Sequence, residues 1–258
     1  MREALRVENL SVAYSGVKAL ENVSFSVERG DYVAILGPNG SGKSTLLKTL
    51  LGLEKPQSGS ITLLGQKRDS FDQWGKVGYL PQKTGVTNPL FPATVEEIVS
   101  MGLLAGKRFP RLQSKEDREK TARALELCGI TALAKKLIGE LSGGQQQKAL
   151  LARAIVSSPE LILLDEPSTA LDHESRIAFF TLLDGIARAD GTTVIFITHD
   201  MGEAGRHAGK LLMLDTSLVF YGTGEEFCKS AAMTGVFGEH TQHLVCHRHD
   251  TESRHGHA

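Results

Sequence analysis

Long hydrophobic runs are missing from this 258-residue chain. No apolar stretch approaches the roughly 18–20 residues needed to cross a bilayer, and the opening MREALRVENL has no apolar segment of the kind that directs secretion. The cytoplasm is the expected location. A surplus of one charge is missing as well: 29 basic side chains face 30 acidic ones, for a formal net charge of −1 and a pI near 6.8. No overall basic field exists to hold nucleic acid or an anionic membrane, so nucleic acid is not an expected partner. Cysteine is scarce: the three residues Cys128, Cys228 and Cys246 are odd in number and include no CxxC pair, which argues against a disulfide framework. The remainder, 41% hydrophobic and 23% charged, is ordinary for a soluble globular protein with room for one large domain or two small ones. Histidine is unevenly placed. Six of the nine lie between His240 and His257.

The first third reads as strands. Leu5 to Ala13 and Val23 to Glu28 alternate apolar and polar residues, as half-buried antiparallel strands do, and the continuous apolar run from Tyr32 to Leu36 predicts a central buried strand. That run leads into GPNGSGKST, after which Leu46, Leu47 and Leu50 recur at helical spacing. The middle reads as helical. Thr94 and Glu97 form a capping-box pattern ahead of Val95, Ile98 and Val99, a second helix is predicted over about Lys115 to Leu127, and a third from near Ser142 to before Pro159. Short apolar runs at Leu161 to Leu164 and Val194 to Ile197 flank a helical segment from Glu174 to Ala189, a βαβ pattern that implies parallel strands. From about Ala231 the periodicity is lost, and the remainder reads as a polar tail.

Gly37-Pro38-Asn39-Gly40-Ser41-Gly42-Lys43-Ser44-Thr45 matches G-x-x-x-x-G-K-[ST] between a buried strand and a helix, the context in which this pattern binds phosphates. Glycines let the backbone wrap a phosphate chain with its N–H groups inward, and the helix adds its positive end. Lys43 is placed to reach the β- and γ-phosphates of ATP, and Ser44 to ligate Mg²⁺. A second candidate site follows Leu161-Ile162-Leu163-Leu164: Asp165 to hold Mg²⁺ and Glu166 to polarise an attacking water. Alone, an apolar run ending in acidic residues reads as an ordinary strand entering a turn; beside a phosphate loop it reads as catalytic. His199 stands after the strand ending near Thr198, where it can hydrogen-bond a γ-phosphate or serve only the fold. Leu141-Ser142-Gly143-Gly144-Gln145-Gln146-Gln147-Lys148 opens a helix and offers a second anion-binding end. An N-cap role accounts for Ser142, but not for two glycines and three glutamines beside it.

LSGGQQQK resembles the signature motif of ATP-binding cassette (ABC) ATPases, and other motifs of that family follow in order. Tyr14 occupies the place of the aromatic residue that stacks on adenine, Gln82 in YLPQK resembles the Q-loop glutamine, Ser168 to Asp172 resembles the D-loop, and His199 resembles the switch histidine. The resemblance spans about residues 5–230, with Lys148 standing where many members have arginine. It implies an α/β fold: a P-loop NTPase cassette with a RecA-like core, an N-terminal antiparallel β subdomain and an inserted helical subdomain. The ATP-binding domain is expected over 1–232, its helical part over about 94–158, and a His-rich tail over 233–258. The resemblance further implies catalytic roles for Glu166, His199, Gln82 and Lys43 and a Mg²⁺ set of Ser44, Gln82 and Asp165. It implies that Asp172 and Ser142, Gly143, Gly144 and Gln145 act at nucleotide held by the phosphate loop of a second copy.

The resemblance implies that two cassettes pair head to tail, so a chain with one copy of each motif is expected to need a second chain to make a functional unit. With no membrane span of its own, the chain is expected to energise separate permease subunits, and indirectly a periplasmic or surface metal-binding protein. Soluble cassette ATPases of DNA repair carry a long coiled-coil insertion that the interval from Gln82 to Leu141 is too short to hold, and translation-type members carry tandem cassettes. The stretch from Gly78 to Leu103 particularly resembles cassettes of zinc and manganese importers, with siderophore or haem import as the alternative. In the tail, His240, His243, Cys246, His247 and His249, with His255 and His257 beyond, are soft and borderline groups suited to Zn²⁺, Cu or Ni. Two readings stand for that tail: a metal-binding segment, or a solvated polar one.

Overall fold

The computed structural model describes residues 3–82, 91–107, 113–169, 171–230 and 233. The chain divides into two compact units, one made of residues up to Phe71 together with those from Ile195 on, the other of Asp72–Val194. Among the described residues no helix is long and apolar enough to cross a membrane.

In the first unit β1 (Glu3–Tyr14) and β2 (Val17–Glu28) pair antiparallel around a two-residue turn, Ser15-Gly16, with φ of 49° and 86°. Positive φ at both positions is what a tight hairpin of matching twist requires. The alternation that marks β1 slips once: Glu8 and Asn9 are both exposed, the pairing register shifts between Val7 and Leu10, and Asn9 takes φ 49° while its N–H donates to the Ser24 hydroxyl at 2.8 Å. This bulge returns Leu10 and Val12 to the buried face. On the other side of β1 lie β4 (Ser58–Leu63) and β5 (Gln66–Lys67), giving the order β2-β1-β4-β5. The same unit holds β3 (Tyr32–Leu36), parallel to β9 (Lys210–Asp215), with β10 (Ser217–Thr223) antiparallel beyond it. Val33 to Leu36 are all buried, as a central strand with both faces covered must be. The Tyr221 hydroxyl donates to the Ser26 carbonyl at 2.6 Å, and Lys210 pairs with Asp31 at 2.7 Å. Helices α1 (Lys43–Leu50), α6 (Met201–His207) and α7 (Gly224–Lys229) complete the unit.

The second unit joins a parallel pair of strands, β6 (Val77–Leu80) and β7 (Leu161–Asp165), to helices α2 (Val95–Ser100), α3 (Lys115–Leu127), α4 (Gly143–Ile155) and α5 (His173–Asp190). β8 (Thr193–Ile197) runs across the division in the chain. The Thr94–Glu97 capping box expected for α2 is present, with Val95, Ile98 and Val99 buried, and a 3-10 turn over Met101–Gly106 follows. α3 begins at a second capping box, Ser114 with Asp117, and ends where the sequence places its end. β4, β5, β6, β9 and β10, with α6 and α7, stand where the sequence reading places no element. Cys228 on α7 is disulfide-bonded, so one cross-link exists although the cysteine pattern argues against a framework. Cys128 is a free, buried thiol that burial pushes up to about 12. The candidate tail ligands His240, His243, Cys246, His247 and His249 lie outside the described residues.

Asp117 ties α3 to the segment before it. Its carboxylate accepts from the Lys107 ammonium, from the Ser114 N–H at 2.5 Å and from the Ser114 hydroxyl at 2.7 Å. The Lys107 bond first, then the Ser114 N–H, lowers its pKa to about 2 from an ordinary 3.8. A carboxyl depressed in the folded state contributes stability that is full above its unfolded value and is lost as pH falls through its folded one. Asp117→Asn is therefore expected to lower the melting temperature at pH 7 and to lose that effect as the pH falls from 4 to 2. An equal loss at both ends of that range would show that charge at Asp117 does not stabilise α3.

Candidate functional site

In the first unit the chain leaves β3 through the glycine-rich loop and enters α1 at Lys43. The Lys43 side chain is buried and turns back over the loop, with Nζ donating to the carbonyls of Gly37 and Pro38 at 2.8 Å each. Gly42 sits at φ +95°, and a Cβ there would lie 2.3 Å from the Ala19 carbonyl oxygen and 2.6 Å from Leu20, so only glycine fits. α1 has no side-chain cap at its N-terminus, and the buried Ser41 hydroxyl has no hydrogen-bond partner. A lysine ammonium, an uncapped helix end and an orphaned hydroxyl on one loop, Gly37 to Thr45, suit an anion chain such as a triphosphate.

Two further predicted residues belong to this unit. Tyr14 ends β1 at the hairpin tip and is 42% exposed, beside an even more exposed Val17, an apolar edge open to a planar ring. His199 is exposed just after β8, and its neighbours fix the backbone. The Thr198 N–H donates to the Ile35 carbonyl at 3.2 Å, the Thr198 hydroxyl donates to Glu203 at 2.9 Å, and Asp200 caps α6 by accepting from the N–H groups of Gly202 and Glu203.

In the second unit the parallel register pairs Leu80 with Leu164. Two residues further along each strand stand Gln82 and Glu166, so the register itself brings them to the same edge. Gln82 Nε2 donates to Glu166 Oε2 at 2.6 Å, and the Thr169 hydroxyl donates to the same oxygen at 3.2 Å. Asp165, the last residue of β7, is buried, and its charge, after burial, is the second cause that raises the nearby Tyr79 pKa. Glu166 takes φ 48°, a left-handed conformation that costs a residue with a Cβ roughly 1 kcal/mol and re-aims its side chain away from the strand direction.

The glycine-serine motif also lies in this unit. Ser142 caps α4 in a full capping box: its hydroxyl accepts from the Gln145 N–H at 3.4 Å, and Gln145 Oε1 accepts from the Ser142 N–H at 3.1 Å. The N-cap reading of Ser142 is thus correct as far as it goes, while Ser142, Gly143 and Gln145 remain exposed for a further contact. Gly144 packs close to α5: a Cβ there would lie 2.9 Å from the Ser175 hydroxyl, which would have to shift. Asp172 caps α5 by accepting from the Ser175 N–H at 2.8 Å, a bond that holds its carboxyl below the usual range. The sequence marks Thr169 only as part of the D-loop stretch and Gln147 only as one of the signature glutamines, with no role of its own for either; Gln147 Nε2 donates to the Pro167 carbonyl at 2.5 Å.

The Ser44 hydroxyl of the first unit, and the Gln82 amide oxygen and Asp165 carboxylate of the second, are each a hard oxygen donor of the kind Mg²⁺ takes. Among the described residues no three histidine, cysteine, aspartate or glutamate side chains gather as a metal site.

The family model described as "ABC transporter" matches residues 20–169. A zinc uptake system ATP-binding protein of Listeria innocua is 40% identical over 227 residues, 88% of each chain. Relatives at 34% and 35% identity are named as components of chelated-iron (Yersinia pestis) and manganese (Halalkalibacterium halodurans) transport systems. An inward-facing metal-chelate type ABC transporter shares the fold with a TM-score of 0.80 at 34% identity, over 92% of this chain and 89% of that one. A dimeric ATP-binding cassette in a post-hydrolysis state with ADP and Pi does so at 0.73 and 29%, over 85% and 98%. The chain belongs to the ABC transporter family and is an ATP-binding cassette ATPase of it.

Proposed function

We propose that this cassette powers import of a divalent transition metal, zinc first and manganese second, through separate membrane permease subunits at the inner face of the cell membrane. The observation that carries the cargo is the 40% identity, across 88% of both chains, with a zinc uptake ATPase. A periplasmic or surface metal-binding protein would hand the ion to the permease, so this chain need not touch it.

In this reading the loop from Gly37 to Thr45 wraps the phosphates of ATP with its N–H groups, and Lys43 leaves the carbonyls of Gly37 and Pro38 for the β- and γ-phosphates. Tyr14 stacks on the adenine. Ser44, Gln82 and Asp165 are the residues that would hold Mg²⁺, which when bound would supply charge neutralisation at the phosphates. Glu166 accepts a hydrogen bond from the attacking water and aligns it, and His199 donates to a γ-phosphate oxygen as charge builds there. Ser142, Gly143, Gly144 and Gln145 close over the ATP of a second copy, with Asp172 beside that interface, so each catalytic site is shared by two chains. Closure on ATP and reopening after hydrolysis pass motion to the permease through the helices that follow Gln82.

Elemental analysis of cells with and without this chain, grown under metal limitation, tests the cargo. Zinc content is expected to fall several-fold on deletion and to be restored by the intact chain and not by Glu166→Gln. Unchanged zinc and manganese together with lost uptake of siderophore-bound iron or haem would overturn the cargo reading and leave the ATPase assignment standing.

A further inference from the structure

The three successive glutamines of α4 send their amides to three different places. Gln145 completes the cap with Ser142, Gln146 Nε2 donates to the Ile138 carbonyl at 3.1 Å, and Gln147 Nε2 donates to the Pro167 carbonyl at 2.5 Å. Pro167 directly follows Glu166 and has no N–H, so its carbonyl is the one backbone group through which hydrogen bonding can fix it. The segment it fixes is strained. Glu166 at φ 48° occupies a conformation that persists only where the surroundings over-determine it. Thr169 restrains the far side of the turn, with its N–H donating to the Glu166 carbonyl at 3.4 Å and its hydroxyl to the carboxylate at 3.2 Å. Gln147 restrains the near side, from a helix whose first turn is the signature motif.

We propose that Gln147 is a positioning residue for the hydrolysis step: its bond to the Pro167 carbonyl holds Glu166 in the left-handed conformation that aims the carboxylate at water. This rests on the role given above to Glu166. It has a consequence for the dimer. The Ser142 end of α4 serves the nucleotide of the partner copy, while Glu166 serves the nucleotide of its own chain. The Gln147 bond therefore joins two catalytic sites through one rigid helix, so that engagement of one signature motif stiffens the Glu166 loop of the other site.

The test uses the full-length chain and ATP, with Gln147→Leu, which keeps size and loses the donor, and Gln147→Glu, which sets an oxygen against the carbonyl. Gln146→Leu is the comparator, since it removes a bond of the same kind from the same helix without touching the Glu166 loop. Both Gln147 variants are expected to lower kcat about tenfold with the KM for ATP changed less than about twofold, and to lose positive cooperativity in ATP. Gln146→Leu is expected to shift the melting temperature as much as Gln147→Leu and to keep kcat within about twofold. Equal kcat losses in the Gln146 and Gln147 variants would overturn the proposal, because α4 stability alone would explain them. So would Gln147 variants that fail to fold beside a folded Gln146→Leu, or wild-type kcat in both Gln147 variants while Glu166→Gln is inactive. Native turnover in Glu166→Gln would instead sink the role of Glu166 itself.

Discussion

Glu166→Gln is expected to lower ATP turnover by about 10²–10³-fold while leaving ATP affinity within a few-fold of native. The substitution is close to isosteric at a site whose geometry is fixed from several directions. The glutamine oxygen can still accept from Gln82 Nε2, now at 2.6 Å, and from the Thr169 hydroxyl, now at 3.2 Å. The backbone at φ 48° asks nothing different of glutamine than of glutamate. What disappears is the negative charge that, in the proposed role, accepts a hydrogen bond from the attacking water and so orients it. With turnover removed and binding kept, ATP should trap a persistent dimer, visible as doubled mass in size-exclusion chromatography with ATP and not with ADP. A variant that hydrolyses ATP at the native rate would take the assigned role away from Glu166.

Lys43→Ala is expected to act one step earlier, weakening ATP binding about 10–100-fold through loss of charge-assisted hydrogen bonds to the phosphates. Lys43 Nζ already rests on the Gly37 and Pro38 carbonyls at 2.8 Å, so the ammonium is held on the loop it would serve and little ordering is needed to transfer it to phosphate. The same two bonds brace the loop, so the melting temperature must be measured alongside. Affinity falling far more than stability marks a ligand contact, and titration with a fluorescent ATP analogue reads it directly. Undiminished affinity would remove Lys43 from the phosphate site.

Much of this architecture is legible in the sequence, for reasons that differ by element. α3 matches the span expected, about Lys115 to Leu127, and the structure shows why its ends are sharp: Ser114 and Asp117 form a capping box and Gly129, at φ +64°, lies just past its end. β3 is found because Tyr32–Leu36 is short, apolar throughout and followed by a phosphate-loop pattern. β4 is missed because Ser58-Gly59-Ser60 are exposed and only Ile61 and Leu63 are buried, too few for a period-2 signal. β9 buries four residues in a row and so shows no alternation, and α6, with two glycines in seven residues, has little helical propensity to read. The site divides in the same way. Local motifs give Lys43, Ser44, Asp165 and Glu166, whereas the meeting of Gln82 with Glu166 depends on the parallel register of β6 and β7, which no local pattern encodes. The left-handed turn at Glu166 and the reach of Gln147 to Pro167 are likewise tertiary facts, invisible in LSGGQQQK and LLDEP read as strings.

In the proposed dimer the phosphate loop of one copy and the Ser142 motif of another form a single catalytic site. Mixing Lys43→Ala with Ser142→Arg tests it directly. Each variant alone is expected to be nearly inactive, since every homodimeric site carries a defect. In a one-to-one mixture about half the dimers are mixed, and in each of these one site has an intact Lys43 facing an intact Ser142 while the other carries both defects. ATPase activity is then expected to rise well above that of either variant, to at most about a quarter of native at equal mixing because the intact site lacks support from its defective neighbour, and to fall away on either side of that ratio. Activity that stays at the level of the separate variants at every ratio, with mixed dimers confirmed by mass spectrometry, would contradict a shared site.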